Sequence, residues 1–303
     1  MKTTVLPNAA DLRTAVESHD AFIAAKAFAL RCDVIEMVYA AGSGHLGGSL
    51  SSAEIVAALY WDVLNIRPDQ PGWPNRDRLV LSKGHCAPII YAALANRGYF
   101  DRNVLATFRR TGSVLQGHPD WRKTIGLDMT SGSLGQGLSV GLGMALASRQ
   151  SRVPFNVYVL MSDGEMQEGM TWEAAMAAAH YGLSNLTVIV DKNGLQVDGF
   201  VADVMGIEPL AAKWRAFGWR VITADGNDVS SVLDAFTRRR VSRSKRPTVI
   251  IASTVKGKGV SFMENVMEWH GGTLSPDLYE KAMAELLPHA GGYVRGLLGP
   301  SEV

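Results

Sequence analysis

Two oxygen-bearing side chains follow apolar runs of this sequence at a spacing that suits metal chemistry. Asp163 comes shortly after the apolar run 155–160, and Asn193 follows the run 186–190, thirty positions beyond Asp163. If both runs are parallel β-strands with a helix between them, the two side chains lie at the same edge of one sheet. Carboxylate and amide oxygens are ligands of hard cations such as Mg²⁺. The spacing therefore predicts a divalent cation that carries a phosphate-bearing cofactor.

Histidine beside glycine is the second chemical feature. Four of the seven histidines have a glycine neighbour in a loop-like segment. Glycine lets the backbone approach a ligand closely and histidine titrates near neutral pH, so such pairs are typical of ligand contacts. One such pair alone is more often a surface turn, but four of them favour a shared site. The four are His45, His85, His118 and His270, whereas His19, His180 and His289 are predicted to be structural.

The sequence alone does not assign a single role to two glycine-containing segments. The run 131–137 opens a small-residue helix predicted through Ala147, and its glycines nearly match a dinucleotide-binding fingerprint. The glycine spacing is one residue too long and no clear strand precedes it, so close packing or a cofactor contact explains it better than NAD. The segment 256–259, Lys-Gly-Lys-Gly, would either bind phosphate or form a mobile, solvated loop.

The elements that must position these residues alternate between strand and helix. Apolar residues at helical spacing predict a helix from Asp20 to Tyr39, and the run 51–54 predicts a capping box for the next helix. Short apolar segments separated by helical stretches predict parallel strands that are covered on both faces. These segments are 78–81, 157–161, 186–190, 220–223 and 248–252.

The predicted fold class is therefore α/β, with a doubly wound, mostly parallel sheet and helices on both faces. No internal repeat, low-complexity tract or linker divides the 303 residues. We predict a single domain, 1–303, with its core between about residues 20 and 275.

Composition excludes several classes of partner. The 30 basic and 29 acidic residues nearly cancel, so no net field favours nucleic acid or an anionic membrane. The densest basic cluster, 238–246, is predicted to be a solvated helix end. Two cysteines and no secretory leader predict a reducing, cytoplasmic location. No apolar run reaches the roughly 18 residues that a membrane span needs.

Five motifs, in order, resemble those of the N-terminal half of transketolases, and the spacing from Asp163 to Asn193 resembles the thiamine-diphosphate signature. The resemblance covers about residues 20–275. Ser162 departs from it, standing where the family usually has the first glycine of the signature, and Ser133 stands where many transketolases have proline. The motifs are Gly-Ser-Gly-His-Leu-Gly-Gly at 42–48, Leu-Ser-Lys-Gly-His at 81–85, Gly-His-Pro at 117–119, Gly-Ser-Leu-Gly-Gln-Gly at 132–137 and Trp-His-Gly-Gly at 269–272.

The resemblance implies the fold that holds the diphosphate of thiamine diphosphate, known as the PP module. Too few residues remain after Ser275 for the pyrimidine-binding and C-terminal modules, which implies the N-terminal subunit of a split transketolase. Such a protein would transfer a two-carbon ketol unit from a phosphorylated or similarly anionic ketose to an aldose. It would need Mg²⁺ (or Ca²⁺ or Mn²⁺ in its place), thiamine diphosphate and a complementary C-terminal subunit, with two copies of each chain.

The resemblance also assigns roles to single residues. Asp163, the Asn193 side chain and the Leu195 carbonyl would bind the metal. Glu168 would join an acidic network across the subunit interface. His45, His118 and His270 would line the channel, bind the ketose oxygens and assist proton transfer. Cofactor contacts are assigned to His85, Gly132, Ser133, Leu134, Gly164, Glu165, Glu168, Asn193 and His270.

Two alternatives remain. One is another thiamine-diphosphate enzyme, such as a dehydrogenase E1 subunit or a deoxyxylulose-phosphate synthase type. The other is a catalytically silent, cofactor-binding scaffold subunit. The motifs around His118 and His270 favour transketolase over the first, and the intact set of loop histidines argues against the second. The sequence does not identify the sugar.

Overall fold

A five-stranded parallel sheet forms the centre of the molecule. The computed structural model describes residues 19–289 of the chain. The strand order in space is β1-β2-β3-β7-β6, and every neighbouring pair is parallel. All five strands predicted from the sequence are confirmed. The strands are β1 (Arg78–Leu81), β2 (Val157–Ser162), β3 (Leu186–Lys192), β4 (Leu195–Gln196), β5 (Gly199–Phe200), β6 (Arg220–Asp225) and β7 (Thr248–Ser253), of which β4 and β5 form a separate antiparallel hairpin.

Helices alternate with these strands along the chain. Among residues 19–289, no helix has both the length and the hydropathy needed to cross a bilayer. The basic cluster 238–246 begins in the last turn of α9 and continues beyond it. Arg238, Arg240, Arg243, Lys245 and Arg246 are exposed, as predicted. The helices are α1 (His19–Ala41), α2 (Gly47–Ser51), α3 (Ala53–Ala58), α4 (Ala87–Asn96), α5 (Gln136–Gln150), α6 (Gly169–His180), α7 (Val201–Met205), α8 (Leu210–Ala216), α9 (Val229–Arg240) and α10 (Pro276–Leu286).

Side chains that alternate along each strand give the sheet two apolar faces. In β2, Tyr158 and Leu160 belong to one buried cluster, whereas Val157, Val159 and Met161 belong to the other. Helices α1, α3, α4, α9 and α10 contribute to the first cluster, and α5, α6 and α8 contribute to the second. The prediction of a parallel sheet with helices on both faces is therefore confirmed.

The predicted capping box at 51–54 is wrong. Ser51, the predicted cap, lies at the end of α2 and donates its Oγ–H to the Gly48 carbonyl and to Asp191. Ser52, which precedes α3, makes no side-chain cap. Glu54 instead accepts two 2.7 Å hydrogen bonds from the guanidinium of Arg31 in α1. Both side chains are buried, and a buried carboxylate needs a full counter-charge more than a backbone donor.

The helix predicted from Ser131 begins later, at Gln136. Gly135 has a left-handed φ of 82°, a conformation that ordinary side chains avoid. The residues between Ser131 and Gly135 therefore form a loop, and this loop lies at the edge of the sheet where β2 and β3 end.

Candidate active site

Asp163 and the loop that carries Asn193 meet at the carboxyl edge of the sheet. Ser162 at the end of β2 pairs in register with Asp191 of β3, so the residues that follow are neighbours. The carboxylate of Asp163 accepts a 2.9 Å hydrogen bond from the Gly164 N–H and a 2.6 Å bond from the Gly194 N–H. Burial raises the pKa of Asp163 to about 6, although these backbone donors oppose the shift.

Two more oxygen donors lie on the same loop. The side-chain oxygen of Asn193 accepts from the Leu195 N–H at 3.1 Å, and the Leu195 carbonyl accepts from Lys256 Nζ at 2.9 Å. Each of these oxygens keeps a second lone pair. The structure thus brings together the three groups that the sequence predicted as metal ligands.

The chemistry of this donor set fits a hard cation that is shared with a phosphate. One carboxylate, one amide and one carbonyl are all oxygen donors, which Mg²⁺ prefers, and Mg²⁺ sites often draw their remaining oxygens from substrate phosphates and water. Within residues 19–289, no group of three or more histidine, cysteine or acidic side chains could hold a metal by itself. The residues present therefore suit a metal–diphosphate complex better than a free ion.

A cleft of about 380 Å³ opens beside these donors. Ten of the candidate site residues line it. They are His85, Gly132, Leu134, Gly164, Glu168 and the three metal donors, together with His118 and His270.

Four glycine-flanked histidines form one cluster. His85, His118 and His270 line the cleft, whereas His45, which was also predicted to line it, packs against the other three rings instead. The ring of His45 lies 5.4 Å from that of His85, 5.9 Å from that of His118 and 5.6 Å from that of His270, measured between centroids. His85 and His270 are stacked at 5.1 Å. The three histidines that were predicted to be structural lie elsewhere, and His19, for example, bonds to Asp62. The pairing of histidine with glycine therefore selected four residues whose rings lie together in the folded chain.

The surroundings keep these imidazoles neutral. Burial, followed by Arg109, lowers the pKa of His45 to about 4. Burial and then Lys256 lower the pKa of His270 to about 4. The pKa of His85 falls to about 2 and that of His118 is also lowered, with burial as the largest cause in both. A neutral imidazole offers one donor and one acceptor nitrogen, which suits hydrogen bonding to a sugar.

A backbone clasp holds two of the histidine loops together. Gly44 and Gly272 form an isolated bridge, in which each N–H donates to the carbonyl of the other at 3.0 and 2.8 Å. The bridge fixes the loop of His45 against that of His270, although 225 positions separate the two residues in the sequence.

Two of the predicted cofactor contacts lie outside the cleft lining. Ser133 is exposed to solvent. Glu165 is fully buried, and its carboxylate accepts from Ser82 Oγ and from the N–H groups of Gly135 and Ser162. Glu165 thus ties together three of the loops that surround the site.

Lys256 faces the cleft, and the sequence had left its role open. Only 2% of the residue is exposed, so a mobile, solvated loop is the wrong description of this residue. Its Nζ contacts the Leu195 carbonyl and lies 3.0 Å from His270 Nδ1. Lys256 follows β7 at the carboxyl edge, as Asp163 follows β2, and this position could have identified it.

A fully buried ion pair, Lys83–Asp191, adjoins the cleft, with Lys83 in the lining and 2.5 Å between Nζ and Oδ2. Burial raises the pKa of Asp191, but Lys83 reverses this and holds it below the ordinary value. Burial likewise lowers the pKa of Lys83, and Asp191 more than compensates. Local sequence patterns do not indicate this pairing, because 108 positions separate the two residues.

Comparison with known proteins agrees with this geometry. Residues 23–286 match the family described as transketolase, thiamine diphosphate binding domain. The chain is 46% identical over 252 residues to the 6-deoxy-6-sulfo-D-fructose transketolase subunit SqwG of Clostridium sp. (strain MSTE9), covering 83% of this chain and 91% of that protein. This chain belongs to the transketolase family. The family, the fold and the transferase class predicted from the sequence are thereby confirmed.

Two further matches define which part of a transketolase this chain resembles. It is 42% identical to an apulose-4-phosphate transketolase subunit of Phocaeicola vulgatus, covering 84% of this chain and 89% of that protein. The crystal structure of Campylobacter jejuni transketolase superposes with a TM-score of 0.82 at 31% identity, covering 88% of this chain but only 43% of that enzyme. The match spans about nine tenths of the two relatives that are named as subunits and less than half of the Campylobacter jejuni chain.

Proposed function

We propose that this chain acts as one domain, the diphosphate-binding subunit of a two-chain transketolase. The enzyme would transfer a two-carbon ketol unit from an anionic ketose to an aldose, with Mg²⁺ and thiamine diphosphate. The observation that carries the proposal is the convergence of three oxygen donors and four neutral histidines at one edge of the sheet.

The metal would be held by Asp163, the Asn193 side chain and the Leu195 carbonyl. Mg²⁺ is the proposed ion, with Ca²⁺ or Mn²⁺ able to replace it, and diphosphate oxygens and water would complete the coordination. His85 and the backbone at Gly164 line the same cleft, and in this proposal they would contact the diphosphate.

The histidines would act on the sugar. Thiamine diphosphate, when bound, supplies the carbon nucleophile and the electron sink. His45, His118 and His270 would hydrogen-bond the hydroxyl and carbonyl oxygens of the ketose. An unprotonated ring nitrogen of His45 or His118 would accept a hydroxyl proton and return it within the same pocket. His270, whose Nδ1 lies 3.0 Å from the Lys256 ammonium, would instead donate through Nε2.

The lengths of the relatives support a complementary chain. The match covers 91% and 89% of two proteins that are named as subunits, but 43% of a one-chain transketolase. We propose a complementary subunit that supplies the pyrimidine-binding module, with two copies of each chain, in the cytoplasm.

An apolar face on α5 and α6 is the proposed contact with this subunit. We define the α5–α6 face by Val140, Gly143, Met170 and Met176, all of which are exposed. Met176 is 61% exposed, whereas the outward side of a solvated helix normally carries polar residues. Glu168 precedes α6 and is exposed beside this face, where it would join the acidic network between subunits.

The named relatives suggest the class of ketose. One is named for a sulfonated fructose and another for the phosphorylated sugar apulose 4-phosphate. We propose an anionic ketose as donor for this chain too.

An activity assay of the separate and the mixed chains tests the proposal. The purified chain with Mg²⁺ and thiamine diphosphate should show no ketol transfer, and activity should appear when the complementary subunit is added. The donors should include phosphorylated, sulfonated and neutral ketoses. Full turnover by this chain alone would contradict the two-chain proposal, and equal use of the neutral ketoses would contradict the anionic donor.

A further inference from the structure

Asp191 connects several loops from behind the cleft. It is fully buried. Its Oδ2 accepts from Ser51 Oγ at 2.7 Å and from Asn193 Nδ2 at 3.1 Å, and its Oδ1 accepts from Thr254 Oγ1. With the ion pair to Lys83, the carboxylate thus holds chain segments that belong to α2, to the loop after β1, to the loop after β3 and to the exit of β7. These segments adjoin the site residues.

Lys83 uses all of its donors inside the chain. Besides Asp191, its Nζ donates to the Gly48 carbonyl at 2.9 Å and to Ser52 Oγ. An ammonium has three N–H groups, so none is left for a ligand, even though Lys83 lies against the cleft. Its role is therefore to hold the protein around the site rather than to bind a diphosphate.

The amide of Asn193 has one favourable orientation in this setting. An ionised carboxylate can only accept hydrogen bonds, so the NH₂ group must face Asp191. The amide oxygen then faces the other way, where it accepts from the Leu195 N–H and keeps a lone pair free. Turning the amide would place its oxygen against the carboxylate and its NH₂ group against an N–H.

We propose that Lys83 and Asp191 are a positioning pair that directs the Asn193 oxygen into the cleft. This inference rests on the proposed function, because it takes Asn193 as a metal ligand. Removal of partners that orient a metal ligand typically lowers metal affinity by about 10- to 100-fold. A pair that only stabilised the core would leave the affinity unchanged in every variant that folds.

The double substitution Lys83→Met with Asp191→Leu tests the pair. Buried ion pairs can often be replaced by apolar residues of similar volume without loss of folding. Calorimetry with thiamine diphosphate at fixed Mg²⁺, on the full chain assembled with its complementary subunit, should give binding about 10- to 100-fold weaker. The circular dichroism spectrum should be unchanged. Unchanged affinity in the folded variant overturns the proposal.

Two controls show whether a loss of affinity comes from the positioning pair, from the ligand Asn193 or from the loss of any buried ion pair. Arg31→Met with Glu54→Leu removes another buried ion pair, neither member of which lines the cleft, and should leave the affinity unchanged. Asn193→Ala tests the ligand itself. If Asn193→Ala binds normally, the proposed metal site is wrong. If Asn193→Ala binds weakly while the folded double variant binds normally, only the positioning role is wrong.

If the double variant does not fold, hydrogen exchange in the wild type tests whether Asp191 holds the side-chain amide of Asn193. In ¹⁵N-labelled wild-type chain, the side-chain NH₂ group of Asn193 can be assigned with Asn193→Ala. Its hydrogens should exchange much more slowly than those of Asn103, which is exposed. Equal exchange rates would mean that Asp191 does not hold the amide, and would overturn the proposal.

Discussion

The Gly194 N–H donates a 2.6 Å hydrogen bond to Oδ2 of Asp163, so the loops after β2 and β3 are joined within the chain itself. Gly194 has a left-handed φ of 76°, which points its N–H toward the carboxylate at little conformational cost for glycine. The two sides of the proposed metal site are therefore held together by the protein. Such preorganisation reduces the ordering that a ligand must impose when it binds.

Asp163→Ala and Asn193→Ala should each abolish measurable Mg²⁺-dependent binding of thiamine diphosphate by the assembled enzyme. Each removes one of about six ligands and leaves the diphosphate charge poorly neutralised. Calorimetry measures the affinity, and circular dichroism should show a retained fold. Asp203→Ala, at an exposed position on α7, is the control. If both site variants kept the wild-type affinity, Asp163 and Asn193 would not be metal ligands.

His45→Ala and His270→Ala should each lower kcat by roughly 10²-fold or more, the usual scale for a positioned acid–base group. Steady-state ketol-transfer assays of the two-chain enzyme measure this. His19→Ala and His289→Ala should be near neutral, because His19 bonds to Asp62 and His289 stacks on Phe28. Similar losses in all four variants would mean that glycine-flanked histidines have no special role.

Acid should destabilise the chain through its buried histidines. The pKa of His45 and that of His270 are each lowered from 6.5 to about 4. Above pH 6.5 both rings are neutral in the folded and unfolded chain. As the pH falls from 6.5 to about 4, the unfolded chain binds protons that the folded chain does not, so the free energy of unfolding decreases. Below about pH 4 this contribution levels off.

Urea unfolding at pH 7 and pH 4.5 measures this loss of stability. Each histidine should contribute on the order of 2 kcal/mol, since partial exposure screens part of the pKa shift. The double variant His45→Gln/His270→Gln should lose less stability over this range than the wild type. If the free energy of unfolding fell by the same amount between pH 7 and pH 4.5 in both proteins, the two imidazoles would not be buried in neutral form.

Lys256→Met should weaken binding of Mg²⁺–thiamine diphosphate by about tenfold or more, since it removes a buried cation from a cleft that takes an anion. Lys258→Met is a matched control two positions away, because Lys258 is partly exposed and pairs with Glu264 at 3.2 Å. Calorimetric titration of both variants measures their affinities for Mg²⁺–thiamine diphosphate. Equal affinities would show that the charge of Lys256 does not act on the ligand.

Met176→Glu on the α5–α6 face should weaken assembly with the complementary subunit by at least about tenfold, because an unpaired charge would be buried at the contact. Val241→Glu is the control, since Val241 is 71% exposed at the end of α9, beyond the α5–α6 face. Analytical ultracentrifugation of each variant mixed with the complementary subunit measures how tightly the two chains assemble. Normal assembly of the Met176 variant would place the contact elsewhere.

The fold was predictable because its pattern is local. Each strand of the parallel sheet is a short apolar run, so β2 and β3 could be placed from their own residues. The ends of strands then indicated Asp163 and Asn193, since parallel strands present their carboxyl ends at one edge.

The supporting contacts could not be predicted in this way. Glu54 satisfies a capping pattern in the sequence, yet its partner is Arg31 on another helix. Lys83 meets Asp191 only in the folded chain. Such pairs depend on which buried charges come together, and this is decided by tertiary packing rather than by local spacing.

The clasp between Gly44 and Gly272 has a consequence for how the protein is made. Gly44 is synthesised 228 positions before Gly272, its partner in the bridge. A chain that stops before Gly272 contains the loop of His45 but lacks the residue that forms the bridge to Gly44. In chains truncated between the two glycines, the loop of His45 should therefore lack the backbone bridge that holds it in the pocket.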